Sequence, residues 1–71
     1  MEIIYTKIKS NNIIGYHYNI SERKLYVKFS NQREYEYSNV TQHEVDQIVK
    51  AESFGKKLKE IVSNKKYQEL D

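Results

Sequence analysis

KLYVKFSNQREYEY, residues 24–37, is the stretch whose reading decides the fold. Leu25, Val27 and Phe29 alternate with Tyr26, Lys28 and Ser30, and Tyr35 and Tyr37 alternate with Glu34 and Glu36. Alternation of period two in two runs, split by the polar Ser30-Asn31-Gln32, predicts a β-hairpin. The turn lacks a glycine after Asn31. Asn tolerates the left-handed conformation, whereas Gln32 and Arg33 do not favour it. Leu25, Val27 and Phe29 are expected to face a core, and Tyr26 and Lys28 to face the other way.

Upstream, Ile13 to Tyr18 reads IIGYHY, a run of high β-propensity. Gly15 inside it predicts a bulge or a backbone that something approaches closely. Ser10-Asn11-Asn12 is a turn cluster that sets off residues 1–9, a loosely alternating N-terminal strand or arm.

Downstream the period changes. Thr41 can cap a helix, Glu44 stands three residues on to complete a capping box, and Val40 and Val45 can close a hydrophobic staple around it. A first helix then runs to about Ala51, with Val45, Ile48 and Val49 on one face. A break near Glu52 is expected, because Gly55 inside one long helix would cost about 1 kcal/mol relative to Ala. Ser53 caps a second helix with an apolar stripe of Phe54, Leu58, Ile61 and Val62. Lys65 to Leu70 is expected to form a final short turn, with Tyr67 and Leu70 folding back onto the domain. The fold class is therefore α+β: an antiparallel meander of three strands, four if residues 1–9 join it, followed by two helices packed on one face. Leu25, Val27, Phe29, Val45, Ile48, Val49, Phe54, Leu58 and Ile61 are the expected core.

Seventy-one residues make one domain, 1–71, with neither a linker nor a repeat. The absence of cysteine excludes a disulfide or thiolate metal staple. No apolar run approaches the ~20 residues that cross a bilayer, so no membrane partner is expected. No signal-like leader is visible, so a cytoplasmic protein is expected. Abundant Lys, Asn, Ile, Tyr and Glu, without Pro or Trp, fit an AT-rich genome, that of a low-GC bacterium or one of its phages.

In this layout the chain resembles the KTSC domain, a module named for its occurrence at the C-terminus of some lysyl-tRNA synthetases and also found as a free-standing small protein. The resemblance spans residues 10–67. It rests on Ile14-Gly15-Tyr16, on Leu25, Val27 and Phe29, on Tyr35 and Tyr37 followed by Val40, on Ala51, Ser53 and Gly55, and on Ile61. The family commonly has an acidic residue where His17 stands, Gly where Gln32 stands and Pro where Thr41 stands. An aromatic residue and Asn commonly occupy the positions of Leu58 and Lys59. The resemblance implies an RNA-binding role suggested by the synthetase association.

An enzyme is not expected. The two histidines, His17 and His43, lie on different elements, and with two glycines there is no phosphate-cradling loop. Glu34 and Glu36 share one strand face and are expected to pair across to Lys24 or Lys28. No metal or other cofactor is expected. Two binding features remain. Residues 50–66 carry six lysines against two glutamates, a local balance of +4 in a chain of net charge +2. Such a cluster is first of all a solvated helix face, but Lys56, Lys57, Lys59, Lys65 and Lys66 could also grip a phosphate backbone without reading bases. The second feature is the seven tyrosines. Tyr35 and Tyr37 read as inner-face residues with their hydroxyls at the rim. Tyr26, flanked by Lys24 and Lys28 on the outer face, is the stacking candidate. The expected function is a non-enzymatic binding module for RNA or another nucleic acid, using those five lysines with Tyr26 and Lys28. The alternative is a protein-interaction module, such as a phage or mobile-element protein that binds and modulates a host factor.

Overall fold

The computed structural model of the chain describes residues 2–70. Five strands form one antiparallel sheet in the order β1 (Thr6–Lys7), β2 (Ile13–Asn19), β3 (Lys24–Phe29), β4 (Glu34–Tyr37) and β5 (Tyr67–Leu70). The helices α1 (Gln42–Lys50) and α2 (Phe54–Val62) come between β4 and β5 in the chain and pack on one face of the sheet. The α+β class and the two helices are as expected, but the sheet has five strands rather than three or four. Residues 2–9 supply only the two-residue edge strand β1; Met1, the start of the expected arm, lies outside the described residues.

The central hairpin pairs Leu25 with Tyr37, Tyr26 with Glu36, Val27 with Tyr35 and Lys28 with Glu34. Its turn solves the missing glycine by force. The Gln32 amide donates to the Phe29 carbonyl at 2.9 Å and the Phe29 amide to the Arg33 carbonyl at 2.8 Å, leaving Gln32 at φ 74°. This is a three-residue loop with its last residue left-handed. A non-glycine residue pays roughly 1–2 kcal/mol there. The Asn31 side chain accepts from the Arg33 amide at 3.0 Å and supports the bend.

Between Ile13 and Gly15 the register of β2 against β3 slips by one residue, so Ile14 is the extra residue of a bulge. The bulge keeps Ile13 in the core while Gly15 joins the opposite face. Both expectations for Gly15 hold, since a Cβ there would meet the Thr6 carbonyl oxygen at 2.5 Å.

Helix α1 begins where its sequence says. Thr41 Oγ1 accepts from the Glu44 amide at 3.2 Å, and Glu44 Oε1 accepts from the Thr41 amide at 2.9 Å. Val40 and Val45 are both buried in the core. Ser53 caps α2 by accepting from the Lys56 amide at 3.3 Å. Leu25 and Val27 are buried against Val45, Ile48 and Leu58, so the register of the central strand is as read. Phe29, Phe54 and Ile61 pack at the margin of this core.

Two expectations fail. Val49 is 44% exposed. It borders a shallow depression with Thr6, Tyr16 and Tyr18, where the two-residue β1 is too short to cover it. Lys65 to Leu70 is no terminal turn. Its last four residues form β5, paired along the free edge of β4 from Glu34–Leu70 to Tyr37–Tyr67. The Ser38 amide donates to the Lys66 carbonyl at 2.9 Å and extends the pairing.

Candidate functional site

The sequence-predicted site residues divide between two faces of the sheet. Tyr26 and Lys28 lie on the outer face, away from the helices, in register with Glu36 and Glu34. Tyr26 points away from Leu25 and Val27 as expected, yet it is only 4% exposed. Tyr5 is the reason. Its Cβ and the carbonyl of the following Thr6 lie close over Gly15, and its hydroxyl donates to Glu34 at 2.6 Å, reaching from beside β1 to β4. A glycine at position 15 leaves room for that crossing. His17 closes the other side, its ring centroid 6.0 Å from that of Tyr26. Burial, together with the hydrogen bond to Glu34, holds the Tyr5 phenol well above the usual tyrosine range, and burial with the Glu36 carboxylate raises that of Tyr26. As folded, Tyr26 offers no stacking surface, and the carboxylates around it repel phosphate. Tyr26 and Lys28 therefore leave the candidate site.

Glu34 and Glu36 behave as structural carboxylates. Lys24 pairs with Glu36 at 3.3 Å, as expected, whereas Glu34 is engaged by Tyr5.

The five lysines also separate. Lys65 is used by the fold: its ammonium donates to the Asn39 carbonyl at 2.8 Å and pairs with Glu44 at 3.1 Å. It ties the start of β5 to the cap of α1. Burial alone would raise the Glu44 carboxyl, but the Thr41 amide and the Lys65 ammonium outweigh that effect and hold it below the usual range. Lys65 is thus a structural clamp and not a free cation. Lys57 pairs with Glu60 at 3.6 Å along the helix, an exposed contact of roughly 0–1 kcal/mol that a ligand can displace. Lys56, Lys59 and Lys66 are exposed and make no ion pair among the described residues.

Lys56 and Lys59 stand one turn apart on α2, at the rim of a cleft of about 510 Å³. Leu58 and Val62 form its helical wall; Ile13, Phe29 and Tyr37 form its wall on the sheet. Gly55 also lines it, and a Cβ there would meet only Ile13 Cδ1, at an ordinary 3.7 Å. Beyond Tyr37 the inner face continues as an aromatic margin. Tyr67 lies 6.1 Å from Tyr37 and 6.0 Å from Tyr35, and Tyr35 lies 5.5 Å from Phe29 edge to face. Tyr37 is buried, and that burial, aided by Tyr35 and Tyr67, raises its phenol above the usual range. Tyr35 is half-buried, and Tyr67 is 66% exposed.

Tyr67 is absent from the residues expected at a site, because the sequence reads Lys65 to Leu70 as a turn and the structure makes its last four residues a strand. The signal was available in EYEY: a strand with two inward tyrosines needs a neighbour on its far side. Among the described residues no group of three or more His, Cys, Asp or Glu could hold a metal ion, and no helix is long and apolar enough to cross a membrane.

The remaining motif residues have structural tasks: Gly15 at the crossing, Tyr16 with its ring 5.6 Å from that of Phe54 and tilted against it, and Ser53 as the cap of α2. Residues 9–67 match the sequence model of the KTSC domain. The structure is similar to the crystal structure of a KTSC domain protein from Yersinia pestis, with a TM-score of 0.89 at 19% identity over 96% of this chain and 97% of that one. At that identity the likeness speaks for the fold. No curated protein matches the sequence. Since the family match spans most of the chain, from before the bulge of β2 to the first residue of β5, this protein belongs to the KTSC domain family.

Proposed function

We propose that this chain is a non-enzymatic binding module that holds RNA by its phosphate backbone at the cleft between α2 and the sheet. The observation that carries this reading is the pair Lys56 and Lys59, exposed and unpaired among the described residues on the cleft rim, with Lys57 beside them in a weak exposed pair. Ammonium groups attract phosphate as point charges and do not discriminate bases. The chain has only two arginines, Arg23 and Arg33, so bidentate readout of guanine is not part of the proposal. A cytoplasmic location belongs to the same reading.

Fluorescence anisotropy with a labelled RNA at two salt concentrations tests it. Affinity is expected to fall steeply with salt, with a log–log slope of about 0.7 per phosphate neutralised on a single strand. Lys56→Glu with Lys59→Glu is expected to weaken binding to all sequences alike and to flatten that slope. Absence of binding at low micromolar protein and low salt would overturn the proposal.

A second reading is favoured by a different observation. Strand β5 is the terminal strand of the sheet, so its outer edge pairs with no described strand. A protein partner, such as a host factor bound by a phage or mobile-element protein, could add a strand there. Failure of the RNA test makes this the working reading.

A further inference from the structure

We infer that the aromatic margin of β4 and β5 is the base-stacking half of the interface, with Tyr67 as its exposed platform, so that the ligand is single-stranded nucleic acid. This rests on the phosphate-binding reading above and adds the class of ligand to it.

Tyr67 is on an edge strand, turned to the inner face, and two-thirds of the residue is in water. Its neighbours Tyr35 and Tyr37 fix it from one side, with centroids 6.0 and 6.1 Å away. Tyr37, which touches Tyr67, and Phe29, which touches Tyr35, are themselves walls of the cleft that carries Lys56 and Lys59 on its rim. A nucleotide presents one flat apolar group and one anion. Here an exposed flat ring adjoins, through Tyr37, a groove that two free ammonium groups border. The carboxylate that shares this face, Glu69, sits 3.8 Å from the Arg33 guanidinium, which offsets its charge. A duplex has its base faces occupied by one another, whereas an unpaired strand can lay a base on a tyrosine ring. Stacking of this kind tolerates any base, because every base has a π-face.

The experiment uses the full chain with a labelled oligouridine RNA and, separately, a duplex RNA of the same length, at low salt. The single strand is expected to bind more tightly than the duplex. Tyr67→Ala is expected to weaken single-strand binding by roughly 5- to 150-fold, the range for loss of one stacked base, while duplex binding stays unchanged. Tyr67→Phe keeps the ring and is expected to bind as the wild type does. Tyr67→Leu keeps apolar bulk against Tyr35 and Tyr37 but has no ring, and is expected to match Tyr67→Ala, which separates stacking from packing. Two outcomes overturn the inference: equal binding of duplex and single strand, or unchanged binding by both Tyr67→Ala and Tyr67→Leu. If either occurs while Lys56→Glu with Lys59→Glu still abolishes binding, the phosphate reading stands and the stacking reading falls. Failure of the wild type to bind either RNA ends both.

Discussion

Two tyrosines, one on each face of this sheet, meet opposite fates. On the outer face, Tyr26 is central, flanked by lysines and aimed away from the core, yet it is buried under Tyr5 and beside His17. On the inner face, Tyr67 belongs to the same face as the core but lies at the edge, and is exposed. Alternation along a strand fixes only the side to which a residue points. Whether that side meets water depends on what crosses it, and here the Tyr5 side chain reaches from the sheet edge over one face to Glu34, while the two nine-residue helices leave Tyr67 exposed at the other's margin. The two glycines show the same contrast. Gly15 is a steric requirement, with a backbone oxygen 2.5 Å from its missing Cβ, while Gly55 faces an open cleft with only the tip of Ile13 nearby.

Substitutions at these positions sharpen the comparison. The largest effect is expected at Gly15→Ala. The Thr6 carbonyl belongs to the backbone and cannot turn aside, so β1 must lift, at a cost of about 1–3 kcal/mol. Urea melts measure this, and an unchanged midpoint would show that the crossing at Gly15 is not tight.

Tyr5→Phe tests the same closure from the other end. Loss of the hydrogen bond to Glu34 is expected to cost about 1 kcal/mol, near the middle of the range for such bonds, because Glu34 keeps some access to water. It also changes the alkaline limb of stability. The Tyr5 phenol is raised in the folded state, so its contribution is complete below the unfolded tyrosine value of 10.0 and is lost as pH rises above it. Melts of the wild type and Tyr5→Phe are expected to converge as pH is raised through that region. Parallel curves would mean that Tyr5 titrates alike in both states.

The smallest effect, with the opposite sign, is expected at Gly55→Ala. The added methyl meets nothing closer than 3.7 Å and restricts the unfolded chain, so stability should hold or rise by up to about 1 kcal/mol. Since Gly55 lines the cleft, the same variant narrows the proposed site, and RNA affinity is expected to drop while the urea midpoint does not. A fall in both would place Gly55 with Gly15 as a packing requirement and undo the contrast.

Much of this molecule is determined by residues close together in the chain. The alternation of residues 24–37 fixes the register of the central hairpin, and Thr41, Glu44 and the flanking valines fix the start of α1. Ser53 starts α2, and the lone Gly15 marks the bulge of β2. Each of these is nearest-neighbour physics: strand pleat, helix period, and backbone amides that need an acceptor at a helix end. The tertiary structure alone decided the rest. Tyr67-Gln68-Glu69-Leu70 is a strand because the free edge of β4 has unpaired amides and carbonyls to offer, a property of residues 30 to 36 positions earlier. Lys65 was removed from the basic cluster by Glu44 and the Asn39 carbonyl, and Tyr26 was removed from solvent by Tyr5. A side chain's chemistry is written in its own residue, but its availability to a ligand is set by partners that only folding brings within reach.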